Sequence, residues 1–492
     1  MIEVAPEPLR HLGDYDVAVI GGGIVGTMIA RELSRLEGHF ALLEKEASPG
    51  FGVSKASLSQ VHLPDFCPPG SLKGRLCREA PARFKQLAGE LDVDYREVDE
   101  LFLALEPSHK ANLEEARKRG EANGATGYEI IGPKKIRELE PHVTKKAVAG
   151  LYARGLGVIY TPEWTFALAE NAAQNGVHVH LGTAVTDIVR KSDASFLVST
   201  TKGTLSTRYV INAAGLYADE IAWMVGDHQV RLVLRKGTMV IFDKSASHLV
   251  HHMIFGTFAQ THSQNIAPTA HGNLILGIRY VETDHKGDTK VSREGILETM
   301  KLGKQLVPAI SEKDIITSFS GILSTNNMAS NGDFHIAPSE HDPNVIHVIV
   351  GAPGLTAAPG IAELVVKLLL DAGMVTDEKR AFQKKRRRWP RFESASFAEK
   401  LEMIASNPKY GHVLCRCEQV TEAEILEAME RGAVTLDAIK HLTRAGMGRC
   451  QGGFCGISVL KVLAQHLGIP LTEVTKNGEG SHQVIKSPRD FI

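Results

Sequence analysis

The 492-residue chain is short of the features that mark several protein classes. With only 6 Cys it is no disulfide-stapled scaffold, and reduced thiols in a cytoplasmic protein are the expectation. Lys and Arg (56) balance Asp and Glu (57), leaving a net charge of -1. That is too little to draw the whole chain to nucleic acid or to an anionic membrane. No apolar run approaches the roughly 20 residues of a membrane helix; Leu364–Leu370 is broken by Lys367. Met1 to Gly13 carries Glu3, Pro6, Glu7, Pro8 and Arg10 without an apolar core, so it does not read as a secretory signal. No repeat recurs at a fixed period. What remains is ordinary globular composition, 43% hydrophobic and 6% aromatic. At roughly 100–200 residues per domain, the length predicts about three domains.

Asp16-Val-Ala-Val-Ile20 reads as a buried strand, followed by Gly21-Gly-Gly23-Ile-Val-Gly26, a helical pattern to Leu36, and a second strand at Phe40–Leu43. Strand, glycine turn, helix and strand open a βαβ unit that points to a dinucleotide. Gly21 permits the tight turn, Gly23 a close approach to pyrophosphate, and Gly26 close helix–strand packing. Glu44 ends the second strand, where a carboxylate accepts hydrogen bonds from a ribose. Further strands are predicted at Val177–Leu181, Tyr209–Asn212, Met239–Phe242, Leu274–Gly277 and Val345–Val350. Helices are predicted at Lys110–Asn123, Thr165–Asn175 and Gly360–Ala372. The expected class is α/β, a Rossmann-like domain with an antiparallel-sheet substrate domain and a small helical C-terminal domain.

Asp16–Glu44, together with Val210-Ile-Asn-Ala-Ala-Gly215 and Gly351-Ala-Pro-Gly-Leu-Thr-Ala-Ala-Pro-Gly360, resembles the FAD-dependent oxidoreductases of the D-amino-acid-oxidase-like superfamily over residues 14–375. The resemblance implies FAD. It puts Ala214 and Gly215 near the flavin nucleotide and the backbone of Val185 at the adenine. Gly354, Leu355 and Thr356 would form a turn beside the isoalloxazine, ahead of a helix from Gly360. It divides the chain into an FAD-binding domain (14–80, 145–220 and 325–375) and a substrate domain (81–144 and 221–324).

Ser54-Lys-Ala-Ser-Leu-Ser-Gln-Val-His62 is similar to the Ser-x-x-Asn-Ser-x-x-x-His stretch of glycerol-3-phosphate and L-2-hydroxyglutarate dehydrogenases, with Ser57, Leu58 and Leu63-Pro64 departing from it. A hydroxyl proton must leave as hydride passes to flavin, and His62 is the candidate base; the alternative is a hydrogen-bonded structural histidine. A small anionic substrate needs a cation, yet Leu323 follows Gly321-Ile322 where that family often has Arg. Arg279 and Lys236 are the candidate substitutes, with surface ion pairs as the alternative. His248, His251 and His252, with His262 and His271 beyond, lack an accompanying Cys or carboxylate pattern and predict no metal site. Cys67 and Cys77 read as unpaired thiols.

Between 376 and 409 aliphatic residues become sparse. Lys384-Lys-Arg-Arg-Arg388 there predicts an exposed basic linker, either a solvated tether or a docking patch. The domain beyond it (410–475, then a tail, 476–492) has a capping box at Thr421-Glu-Ala-Glu424. Cys415-Arg-Cys417 and Cys450-Gln-Gly-Gly-Phe-Cys455 are separated by residues 418–449 and supply four thiolates for a [2Fe–2S] cluster. Cys455 directly precedes a helix, whose dipole is expected to favour its thiolate. Val413–Gly468 resembles the bacterioferritin-associated-ferredoxin-like [2Fe–2S] domain; structural zinc or two disulfides are the alternatives.

Flavin module plus cluster module resembles the large subunits of anaerobic-type glycerol-3-phosphate dehydrogenases. That implies hydride transfer from a glycerol 3-phosphate-like compound or 2-hydroxy acid to FAD. It also implies electron exit through the cluster to a companion electron-transfer subunit or quinone. Membrane contact is at most peripheral, through a partner, and an oligomer is allowed. An amino-acid or secondary-amine dehydrogenase is the rival enzyme. A non-catalytic redox sensor or scaffold is the rival of another class.

Overall fold

The computed structural model describes residues 10–256, 264–329 and 332–486, and the side chains of Ile278 and Arg279 lie outside that description. The β-branched run before Gly21 is buried on both faces, as a central parallel strand requires. His11–Ile20 pairs in parallel with Phe40–Leu43 on one side and with Gly203–Asn212 on the other. His178–His180 extends the sheet beyond Phe40–Leu43, and Val345–Ile349 joins it beyond Gly203–Asn212. Helices Ile24–Leu33, Thr161–Gln174 and Gly354–Asp371 share one core with this sheet through Ile29, Leu33, Trp164, Leu168, Ile361 and Val365.

A second eight-stranded sheet runs from Ile315–Asn326 through Leu232–Phe242, Leu274–Thr283 and Asn265–Pro268 to Met253–Gly256, Glu100–Ala104, Ala149–Ala153 and Tyr128–Ile131. Its long strands are antiparallel, and helix Arg293–Leu306 supplies Met300 and Leu306 to its core. The chain weaves between the two sheets more finely than expected. Ala149–Ala153 lies beyond the boundary drawn at 145, yet pairs with Glu100–Ala104 in the second sheet. Helix Ala80–Leu91, assigned mostly to the substrate side, buries Phe84, Leu87 and Leu91 in the core of the first sheet. Pattern marks an element but not the sheet it joins.

The 376–409 segment is largely exposed, as expected, with Lys384, Lys385, Arg387 and Arg388 all at the surface, but it is anchored at three buried side chains, Arg386, Trp389 and Phe392. Trp389 is 2% exposed and Arg386 4%, and helix Phe397–Ser406 follows them. Arg386 and Arg431 both pair with Glu170 (2.9 and 2.6 Å), and Arg391 pairs with Glu163. Arg386 of the basic run, and Arg391 beyond it, strap the segment to carboxylates of helix Thr161–Gln174, with Trp389 in the core of the last domain. Ion pairing and aromatic burial, rather than hydration, hold it. That domain packs helices Glu422–Glu430, Leu436–Thr443 and Gly456–Leu467 around Ile425, Ile439 and Leu463. Thr421 and Glu424 cap its first helix reciprocally. Among the described residues, no helix is long and apolar enough to cross a membrane.

Candidate active site

A cavity of about 1920 Å³ opens between the two sheets and is walled on a third side by the C-terminal domain. Typical small-molecule pockets hold about 300–1,000 Å³, so this one has room for a dinucleotide and a substrate together. At one end stands the glycine turn. A Cβ on Gly21, at φ +111°, would lie 2.3 Å from the Ala213 carbonyl oxygen, and one on Gly26 would lie 1.8 Å from that of Gly21. No side chain fits either place. Glu44 accepts the Gly22 and Glu46 amides (2.6 and 2.8 Å), while burial raises its pKa. Ser54 Oγ accepts the Ile24 amide at 2.9 Å, tying the 54–62 segment to the helix N-terminus. Gly23, Val185, Ala214 and Gly215 line this end. Close backbone approach, a helix N-terminus and a carboxylate beside the next strand fit the diphosphate and ribose of FAD.

Gly354, Leu355 and Thr356 line the opposite stretch of wall, with one difference from expectation. They are the first turn of helix Gly354–Asp371 rather than a turn before it. Pro359 signalled a later start, but Ala357 and Ala358 are buried against the first sheet, and that packing carries the helix through the proline. Thr356 Oγ1 accepts the His62 amide at 3.2 Å and donates to the Gln60 carbonyl at 3.4 Å. The helix start is thereby fastened to His62. The His62 ring meets Phe66 and Phe255 edge-on (5.3 and 5.9 Å), and its Nδ1 lies 3.5 Å from Glu100 Oε2. Burial lowers its pKa to about 4, so the imidazole rests neutral.

The expected anion anchors fare differently. Arg279 pairs through its backbone with Thr238, and its side chain is outside the described residues. Lys236 is turned out of the cavity and binds Asp288 at 2.8 Å. Strand side chains alternate in direction, and the cavity face of this strand carries Arg235, Gly237, Met239 and Ile241. Arg235, missed from sequence, sits directly across from Leu323, the position where Arg was expected. Next along the same ladder is Gly237 opposite Gly321, where a Cβ would strike the Ala56 carbonyl at 2.5 Å. Arg235 thus places a cation on the cavity wall one strand over from Leu323, at the same register. Of the histidines from which no metal site was expected, His248 meets the Ser245 carbonyl at 2.9 Å, His252 bonds Glu140 at 2.7 Å, His251 lies 3.5 Å from Glu140, His271 neighbours Asp94, and His262 is outside the described residues.

The four C-terminal sulfurs fall into two pairs. Cys417 and Cys450 stand 3.9 Å apart, and Cys455 donates to Cys415. That bond, helped by the amides of Gly446, Glu418 and Cys417, holds Cys415 down to about 6, while the same bond and burial push Cys455 up. Among the described residues no group of three or more His, Cys, Asp or Glu side chains is placed to hold a single ion. Four cysteine sulfurs are the donor set that a [2Fe–2S] cluster takes. Gly448 is indispensable, since its Cβ would sit 2.3 Å from Cys417 Cβ. The same loop reaches the cavity. Arg444 binds Glu418 and Asn273 (2.9 and 3.2 Å), Tyr160 OH donates to Met447 Sδ at 3.2 Å, and Arg449 binds Asp243 at 2.9 Å.

Comparison with known proteins agrees with both halves. Residues 16–368 match the family described as FAD dependent oxidoreductase, and residues 413–465 match the BFD-like [2Fe-2S] binding domain. A glycerol 3-phosphate dehydrogenase of Caloramator mitchellensis is 36% identical over 95% of this chain and 98% of its own length. A glycerol 3-phosphate oxidase of Mycoplasma genitalium is 30% identical over 72% of this chain and 94% of its own. The solved, dithionite-reduced L-alpha-glycerophosphate oxidase of Mycoplasma pneumoniae, with FAD bound, superposes at a TM-score of 0.71 and 26% identity, covering 77% of this chain and 99% of that one.

Proposed function

Because the chain belongs to the FAD dependent oxidoreductase family and joins to it a BFD-like [2Fe-2S] binding domain, it is an FAD-dependent dehydrogenase, and we propose that its substrate is glycerol 3-phosphate, oxidised at the secondary alcohol. FAD supplies a two-electron hydride acceptor, and the cluster held by Cys415, Cys417, Cys450 and Cys455 supplies a one-electron carrier toward a companion subunit or quinone. Every other part falls to side chains of the chain itself. Gly21, Gly23, Gly26 and Glu44 receive the dinucleotide, with Val185, Ala214 and Gly215 beside it. Gly354, Leu355 and Thr356 face the ring end. His62, resting neutral, takes the hydroxyl proton as the C–H bond opens. Arg235 receives the phosphate, a task suited to a planar guanidinium.

The observation that carries this reading is the presence of His62 and Arg235 on the wall of one cavity that also contains the glycine cradle. Support for electron exit comes from the relatives. The dehydrogenase aligns across 95% of this chain, whereas the oxidase aligns across 72% while using 94% of its own length. The test is anaerobic mixing of the flavin-loaded protein with glycerol 3-phosphate, L-2-hydroxyglutarate, proline and sarcosine. Glycerol 3-phosphate alone is expected to bleach the flavin. Bleaching by an amine instead would replace the substrate class, and bleaching by none would return the chain to a sensor or scaffold.

A further inference from the structure

Behind His62, away from the cavity, lies a closed acidic pocket. Glu100 is 1% exposed and Asp65 0%, although strand Glu100–Ala104 is otherwise apolar. Glu100 Oε2 and His62 Nδ1 are both buried polar atoms without a hydrogen-bond partner, and they face each other at 3.5 Å. Unsatisfied buried donors and acceptors are costly. A single proton on Nδ1 satisfies both atoms once the pair closes slightly, as catalytic contacts do when substrate binds. Asp65 Oδ1 accepts from Tyr128 at 3.4 Å, and Asp65 Oδ2 has no partner. Cys67 and Cys77 complete the titratable lining, with Lys73 beside Cys77. A neighbouring guanidinium, that of Arg119, donates to the Asp65 carbonyl rather than to either carboxylate.

We propose that Glu100 is the positioning residue of the His62 base, its carboxylate holding the N–H on Nδ1, so that the Nε2 lone pair faces the substrate hydroxyl, and balancing the charge when that proton arrives. The inference rests on the reading of His62 as base in the proposed function. In the step, the C–H electron pair passes to FAD with its hydrogen, the hydroxyl proton moves to Nε2, and the carbonyl forms. Nδ1–H and the Glu100 carboxylate remain in place, and Nε2 later returns its proton to water. Burial first, and like-charge repulsion after it, leave at most one negative charge on the two acids. Burial, with Glu100 beside it, holds Asp65 protonated, while burial alone pushes Glu100 up to about 8. The base is therefore complete only after Glu100 ionises, and the rate of flavin reduction rises as pH passes upward through that value.

The experiment is anaerobic stopped-flow reduction of the FAD-loaded protein by glycerol 3-phosphate between about pH 6 and 9. Wild type should show a limb rising toward alkaline pH. Glu100→Gln should lose the limb and slow reduction by about 10²–10⁴-fold, the range seen when a carboxylate is removed behind a catalytic histidine. Glu100→Asp should restore part of both. A flat wild-type profile, or Glu100→Gln with the wild-type rate and limb, overturns the proposal. If Glu100→Gln proves unable to hold FAD, the wild-type and Glu100→Asp profiles decide. His62→Asn separates the two readings. Full reduction by that variant removes the base itself, whereas its failure beside an unaffected Glu100→Gln removes only the role of Glu100.

Discussion

Trp389→Ala tests whether the basic strap is structural. The indole is 2% exposed within the core of the C-terminal domain, with Arg391 Cζ 3.8 Å and Arg431 Cζ 4.9 Å from its centroid. Truncating a buried Trp costs about 3–5 kcal/mol. Two lost cation–π contacts at roughly 0.5–1 kcal/mol each bring the sum to about 4–7 kcal/mol. Against that, Trp389 Nε1 is buried without a partner, and relieving such a group returns about 1–3 kcal/mol. The net spans about 1–6 kcal/mol and centres near 3.5, or roughly a 10²–10³-fold shift from docked to undocked strap at 1.4 kcal/mol per decade. Limited trypsin digestion reads it directly, because Lys384–Arg388 is five basic residues in a row. Wild type should resist cleavage there, since Arg386 is buried and Arg387 and Arg391 are ion-paired. The variant should be cut about 10²–10³ times faster when cleavage follows the open population. Equal cleavage of both proteins would refute the strap and restore the solvated tether.

Two other substitutions probe the substrate anchor and the cluster ligands. Arg235→Met should raise KM for glycerol 3-phosphate about 10–150-fold, from the roughly 1.5–3 kcal/mol of a charged hydrogen bond, with kcat changed far less; an unaltered KM in steady-state assays would move the phosphate elsewhere. Cys455→Ser should abolish stoichiometric iron and acid-labile sulfide in anaerobically purified protein and lower turnover with one-electron acceptors at least about tenfold. Full iron content in that variant would reassign the ligands.

The parts of the site written in contiguous residues were legible in the sequence. The glycine turn and each short cysteine motif owe their local geometry to neighbours a few positions away, although the sulfur pairs and the Gly22–Glu44 contact join distant positions. Facing was not legible. Lys236 and Arg235 differ by one residue and therefore by one face of a strand, and only the packed sheet says which face looks into the cavity. A signal was present in Gly237, a small residue in phase with Arg235. Glu100 also had one, an acid opening the apolar run Leu101-Phe-Leu-Ala104. Trp389 and Phe392 among the basic residues were the mark of a buried strap. Pro359 misled in the other direction, because tertiary burial outweighed a local helix-breaking preference.

Helix Thr161–Gln174 is shared between the first core and the last, through Trp164 on one side and Phe166 on the other. Synthesis runs from the N-terminus, so this helix emerges long before its second partner. Until the strap and the final helices follow, Phe166, Glu163 and Glu170 have nothing to pack or pair with, and the cavity lacks the wall that carries Arg444 and Met447. A ribosome-bound chain with its flavin half complete is thus an open vessel, closed only by the domain made last.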